Sequence, residues 1–179
     1  MKKIYKFIGY ICSMGMALSV PYAMAGQVEE ISWSKPSSYD KNITCCEVSN
    51  NISRKEEKIV KEAEFSEKLK GIDYKYTKVI RNISYLENRT KTPLAMVCIE
   101  MNYRYNPITF EAECISSSSS NIIYNNDYIL NVVSKSLNKN MERGSNVTFI
   151  DFKCLNETIS SEVLETDCDY SGKLEFNRV

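Results

Sequence analysis

No histidine occurs in the 179 residues. The side chain that most often serves as general base near neutral pH is therefore missing. Ser-His-Asp and Cys-His arrangements cannot be assembled without it. Glycine is scarce, with 6 residues scattered along the chain, and none of them builds the glycine-rich loop that cradles phosphate. No C-x-x-C pair is present. Together with the missing imidazoles, this leaves no zinc-ligand spacing, so no metal and no cofactor is expected. An excess of positive charge is also lacking, since 23 Lys and Arg face 23 Asp and Glu. Nucleic acid needs a positive face and anionic membranes need a basic cluster, so neither is an expected partner.

What is present begins with an address. Met1-Lys2-Lys3 opens a short basic stretch, residues 7–20 are apolar, and Ala23-Met24-Ala25 precedes Gly26. A basic start, an apolar run and a small-residue site form the pattern of a secretory signal peptide over residues 1–25. The run is shorter than the roughly 20 residues that span a bilayer, so no stable membrane anchor is expected after cleavage. The style of the signal points to Gram-negative export and to a periplasmic or secreted protein. Loss of residues 1–25 removes three lysines and no acid, which leaves 20 basic side chains against 23 acidic ones. N-x-[ST] triplets start at Asn42, Asn51, Asn82, Asn88, Asn146 and Asn156, as expected by chance in a chain rich in Asn, Ser and Thr.

Cys12 lies in the signal; the remaining cysteines are Cys45, Cys46, Cys98, Cys114, Cys154 and Cys168. An even set in an exported chain reads as a disulfide framework, with fifteen possible pairings. Cys154 and Cys168 are near in sequence and are the expected pair. Cys45 and Cys46 would then reach Cys98 and Cys114.

Periodicity divides the mature chain. Residues 26–52 read as an extended arm tied by disulfides, carrying the single tryptophan, Trp33. Residues 53–70 read as a helix, with Ser53-x-x-Glu56 as capping box, Gly71 as stop, and Glu57–Lys61 and Glu64–Lys68 as i,i+4 pairs. Residues 72–86, 94–105 and 108–115 read as strands, the last two as a hairpin around Asn106-Pro107. Ala95, Val97, Ile99, Met101, Tyr103 and Tyr105 share one face of the clearest strand. A loop of Asn106 and Pro107 alone would set Cys98 and Cys114 on opposite faces. Ser116 to Ser120 read as a low-complexity loop. Residues 128–143 read as a second helix, because Ile129, Val133, Leu137 and Met141 recur every four residues. Residues 146–155 alternate as a core strand, and 173–176 add an edge strand. The expected fold is α+β: about four antiparallel strands and two helices in the order arm-α-β-β-β-α-β, disulfide-stapled, as one domain over 53–179.

Two clusters carry chemistry. Glu100, Glu111 and Glu113 are the acids grouped in the expected sheet, and paired carboxylates can hydrolyse glycosidic bonds. Tyr103-Arg104-Tyr105 beside the hairpin turn combines residue types enriched at interface hot spots. Without a catalytic constellation, the composition favours an exported binding protein with no enzymatic activity. Inhibitors and immunity-type proteins that recognise another protein are of this kind. The alternatives are a structural or assembly component of the envelope, and a carboxylate-dependent glycan hydrolase.

Overall fold

The structure, a computed structural model, describes residues 39–49, 51–69, 72–138, 140–155 and 157–179. The expected signal peptide, the first part of the arm and Trp33 lie outside the described residues. The described chain is all-β. Its strands are β1 (Tyr39–Ser49), β2 (Ile52–Leu69), β3 (Ile72–Glu87), β4 (Pro93–Asn106), β5 (Glu111–Ile123), β6 (Tyr128–Ser136), β7 (Arg143–Cys154), β8 (Glu157–Asp169) and β9 (Leu174–Arg178). They form two antiparallel meanders, β1-β2-β3-β4-β5 and β6-β7-β8-β9.

The two sheets face each other across one core. Val79 and Ile83 of β3, with Val97, Ile99 and Met101 of β4, pack against Ile150, Phe152 and Leu164 of the second sheet. Tyr85, Phe152 and Tyr128 stack through the middle, with ring centroids 4.3 and 5.3 Å apart. The β4 face read from alternation is fully inward, from Ala95 to Tyr105. Tyr103 donates its hydroxyl to the carbonyl of Thr166 on β8, at 2.7 Å.

The expectation of an α+β fold with two helices is overturned, since no helix occurs among the described residues. Residues 53–69 lie within β2, paired with β3 from Ile52↔Glu87 to Leu69↔Ile72; residue 70 and the expected stop at Gly71 lie outside the described residues. Their inward positions are charged, which hid the strand period. Arg54 and Glu56 are buried, paired with each other and each with a further partner far along the chain. Arg54 contacts Glu56 at 2.8 Å and Glu162 at 2.9 Å, and Arg81 contacts Glu56 at 2.7 Å. Glu56 thus joins two buried arginines of its own sheet, which in turn reach Glu162 and Thr166 of the second sheet, and it does not cap a helix. Of residues 128–143, Tyr128–Ser136 form β6 and Arg143 opens β7, with residue 139 outside the described residues. A repeat of four is also a multiple of two, so Ile129 and Val133 line one face of a strand as well as they would line a helix. The β-branched run in Tyr128-Ile129-Leu130-Asn131-Val132-Val133 favours the strand.

The disulfide framework is overturned as well. All six described cysteines are free. Cys154 pairs with Glu157 at one end of β8, and Cys168 lies near the other. The intervening strand separates them by roughly 35 Å, at about 3.4 Å per residue, far beyond disulfide reach. The β4–β5 turn is longer than the dipeptide Asn106-Pro107, so Tyr103 faces Cys114 and Cys98 faces Ser120. Cys114 is inward and buried, and Cys98 is on the other face. Cys45 and Cys46 stand on edge strand β1, opposite Lys55 and Arg54. Burial pushes the thiols of Cys114 and Cys168 up to about 11 and about 12, so both stay protonated.

Candidate functional site

The serine run is no loop; it is the middle of β5. Ile115 is the extra residue of a bulge, because Tyr103 pairs with Cys114 and Asn102 with Ser116. Beyond it, small polar side chains meet the edge of the second sheet. Asn121 donates to the carbonyl of Leu130 at 2.8 Å, and Ser136 donates to Ser117 Oγ at 3.3 Å. Toward the turn, the seam is closed by the β6–β7 connection. The Ala112 N–H donates to the Met141 carbonyl at 2.7 Å, and the Cys114 N–H to Asn138 Oδ1 at 2.9 Å. Gly144 backs the same stretch: a Cβ there would lie 2.3 Å from the Glu113 backbone.

A cleft of about 300 Å³ opens on this seam, lined by Tyr74, Arg104, Glu111, Glu113, Asn140 and Met141, among others. The register explains the gathering. Arg104 on β4 lies opposite Glu113 on β5, and the two form an ion pair at 2.6 Å. Tyr74 donates its hydroxyl to Glu111 Oε2 at 2.6 Å, and Thr109 donates to the same oxygen at 3.0 Å. The Arg104 guanidinium lies 4.9 Å from the Tyr74 ring centroid. The Tyr74 and Thr109 hydroxyls hold the Glu111 carboxyl below its ordinary range. Glu111 is therefore an acceptor and a poor proton donor.

Beside the cleft rises the β4–β5 turn. Asn106 is buried and organises it. Its Oδ1 accepts the N–H groups of Ile108 and Thr109 at 2.7 and 3.1 Å, and its Nδ2 donates to the Asp73 carbonyl at 2.8 Å. Pro107 fixes its own φ at the first turn position. The result is a stiff tip with Ile108 83% and Phe110 54% exposed. Phe110 holds φ 56°, a region that disfavours side chains by about 1–2 kcal/mol. Its ring meets Tyr170 edge-on at 5.0 Å. Leu155, at the β7–β8 turn, is the other exposed hydrophobic in this conformation among the described residues.

The sequence-derived candidates divide. Arg104, Glu111 and Glu113 come together in the cleft. Tyr103 and Tyr105 are core residues, the latter against Gly172. Glu100 is apart, paired with Lys78 at 2.7 Å. Tyr74, Asn138, Asn140 and Met141 were missed, three of them inside the expected second helix. The asparagines just before Gly144 are turn residues, and that signal could have opened the helix into a connection. A second opening of about 570 Å³ lies at strand ends and a turn, lined by Asn51, Leu94, Tyr128 and Cys154 among others. It gathers fewer charged groups: Glu87, held by Thr90, and exposed Arg89.

Among known proteins, no family, no curated sequence and no solved structure matches the chain.

Proposed function

We propose that this protein is an exported, non-catalytic binding domain that recognises another protein through the β4–β5 tip and the adjoining cleft. The observation that carries the reading is the tip itself. Ile108 and Phe110 stand out from a turn pinned by a buried asparagine, and Phe110 does so in a disfavoured backbone conformation. Strain of this kind in an exposed turn motivates a hypothesis of function. A convex apolar tip complements a concave apolar site, as an inhibitor complements a hydrolase cleft. The rim of Arg104, Glu111, Glu113 and Asn140 supplies the polar surround typical of interfaces.

The hydrolase alternative fits less well. A glycosidase needs one carboxylic acid whose pKa is raised. Glu111 is shifted the other way, and Glu113 is engaged in an ion pair with Arg104. Export rests on the sequence pattern of residues 1–25.

The test uses the mature protein, residues 26–179, to capture a partner from envelope extract and culture fluid. The partner's affinity is then measured against Ile108→Asp and Phe110→Gly. Hot-spot anchors at the centre of an interface are worth 2 kcal/mol or more, so the expected loss is about 30-fold or greater, with unchanged thermal stability for Ile108→Asp and no fall in it for Phe110→Gly, where glycine relieves the positive φ. Equal affinity for the variants would remove the tip from the interface. Capture of no stoichiometric partner would sink the protein-binding reading.

A further inference from the structure

The repeat of Ile129, Val133 and Leu137 buries no helix face, and the tip does not use it. On β6 the outward positions run Ile129, Asn131, Val133, Lys135 and, just past the strand, Leu137. Ile129, Val133 and Leu137 are 45, 49 and 47% exposed. Across the ladder, Val133 pairs with Phe149, itself 46% exposed, and Phe149 pairs with Val163. An apolar row therefore crosses the outer face of the second sheet, and a column of alternating apolar and polar residues follows its edge strand.

We propose that this face is a homodimer interface, formed by a second copy stacked on it about a two-fold axis that runs along the Val133–Phe149–Val163 row. The occupant is a second copy because the pattern is self-complementary. The outward side of β6 reads the same about Val133 in either direction: apolar, polar, apolar, polar, apolar. A two-fold along the row places Ile129 over Leu137 of the second copy and Val133, Phe149 and Val163 over themselves. That is the isologous contact of a symmetric dimer, with sheets about 10 Å apart as in a sandwich.

The charges choose the axis. Asn131, Asp151 and Ser161 form one flanking row, and Lys135, Val147 and Glu165 the other. A two-fold along the apolar row exchanges these rows. Lys135 then comes over Asn131 of the second copy and beside its Asp151, Asp151 meets Val147, and Glu165 meets Ser161. No like charges superpose. A two-fold along β7 would instead set Asp151 on Asp151 and Lys153 on Lys153, which is repulsive.

The experiment is sedimentation velocity on the mature protein from low to high micromolar concentration, with melting curves alongside. Wild type is expected to dimerise reversibly. Val133→Lys and, separately, Phe149→Thr are expected to remain monomeric with an unchanged melting temperature at low concentration. Lys135→Glu is expected to weaken the dimer about tenfold or more, and the double variant Lys135→Glu/Asp151→Lys to restore it. A wild-type monomer at every concentration overturns the proposal. So does a dimer that survives Val133→Lys. A fall in the melting temperature of monomeric Val133→Lys also overturns it, because the face would then be covered by the chain's own residues. Ile108→Asp is expected to leave the dimer intact, so this outcome and that of the tip are read separately.

Discussion

Glu162 has no exposed side-chain surface and sits between the sheets as the acceptor for groups from four strands. Arg54 lies 2.9 Å from one oxygen. Arg178 lies 3.5 Å from the other, which also accepts from Ser160 at 2.9 Å and Tyr85 at 3.5 Å. Removing one member of such a set leaves a buried charge unpaired, at a cost of about 3–5 kcal/mol. Glu162→Ala is therefore expected to lose that much in a urea titration. Replacing the pair together, as Arg54→Met/Glu162→Leu, is expected to cost far less, since apolar residues of similar size avoid the desolvation penalty. Equal losses in the single and double variants would deny the pair its role. None of these contacts could be read beforehand, because Arg54 and Glu162 are remote in sequence. Arg104, Glu111 and Glu113 were legible as candidates, because a strand turn bounded by Asn106-Pro107 brings its flanks together. Which of the neighbouring tyrosines faces the core was set by the alternation that Tyr103 and Tyr105 share with Met101.

Among the elements, β5 carries the least expected structure. A stretch of consecutive serines has neither hydrophobic period nor strong strand preference. It forms a strand because β4 offers it a ladder and because the neighbouring sheet edge leaves room only for small groups. Gly144 marks the tightest point of that seam. Gly144→Ala would drive a Cβ to 2.3 Å from the Glu113 carbonyl carbon and 2.4 Å from the Cys114 nitrogen. Both are backbone atoms, so the strands must part. The expected destabilisation is about 1–3 kcal/mol, the range for overpacking, with faster amide exchange at Ala112 and Cys114, whose N–H groups bond the β6–β7 connection. An unchanged exchange rate there would argue that the seam tolerates the methyl. β3 was legible from its β-branched and aromatic composition, and β4 and β7 from alternation, although Arg81 of β3 and Asn146 and Thr148 of β7 also turn inward. β2 and β6 were not: the first is charged on its inward side, and the second is apolar on its outward side.

For the whole molecule, the buried carboxylate of Glu56 sets the response to acid. Burial raises its pKa, but Arg81 and Arg54 more than reverse this and hold it below the ordinary 4.5. A carboxylate depressed by folding adds stability that is complete above the unfolded value and is lost as pH falls through the folded one. Glu111 and Asp169 shift in the same direction. The urea midpoint is therefore expected to hold between pH 7 and 5 and to fall below pH 4.5. In Glu56→Gln that acid slope is expected to be shallower, from a lower plateau at pH 7. An unchanged slope would locate acid sensitivity elsewhere.

By itself, the sequence determined the export pattern, the absence of imidazole chemistry, the near balance of charge, and the apolar face of the strand that became β4. These are local or compositional properties, and they need no partner. The tertiary structure alone decided the rest. Charged residues on β2 became interior because arginines and glutamates from distant strands met them there. The serines became a strand because a neighbouring ladder and a close seam required small side chains. Cys154 and Cys168 stayed apart because an extended strand carries near neighbours in sequence to opposite ends of a sheet. In each case the outcome depends on the partners that other strands supply, which periodicity within one segment does not record.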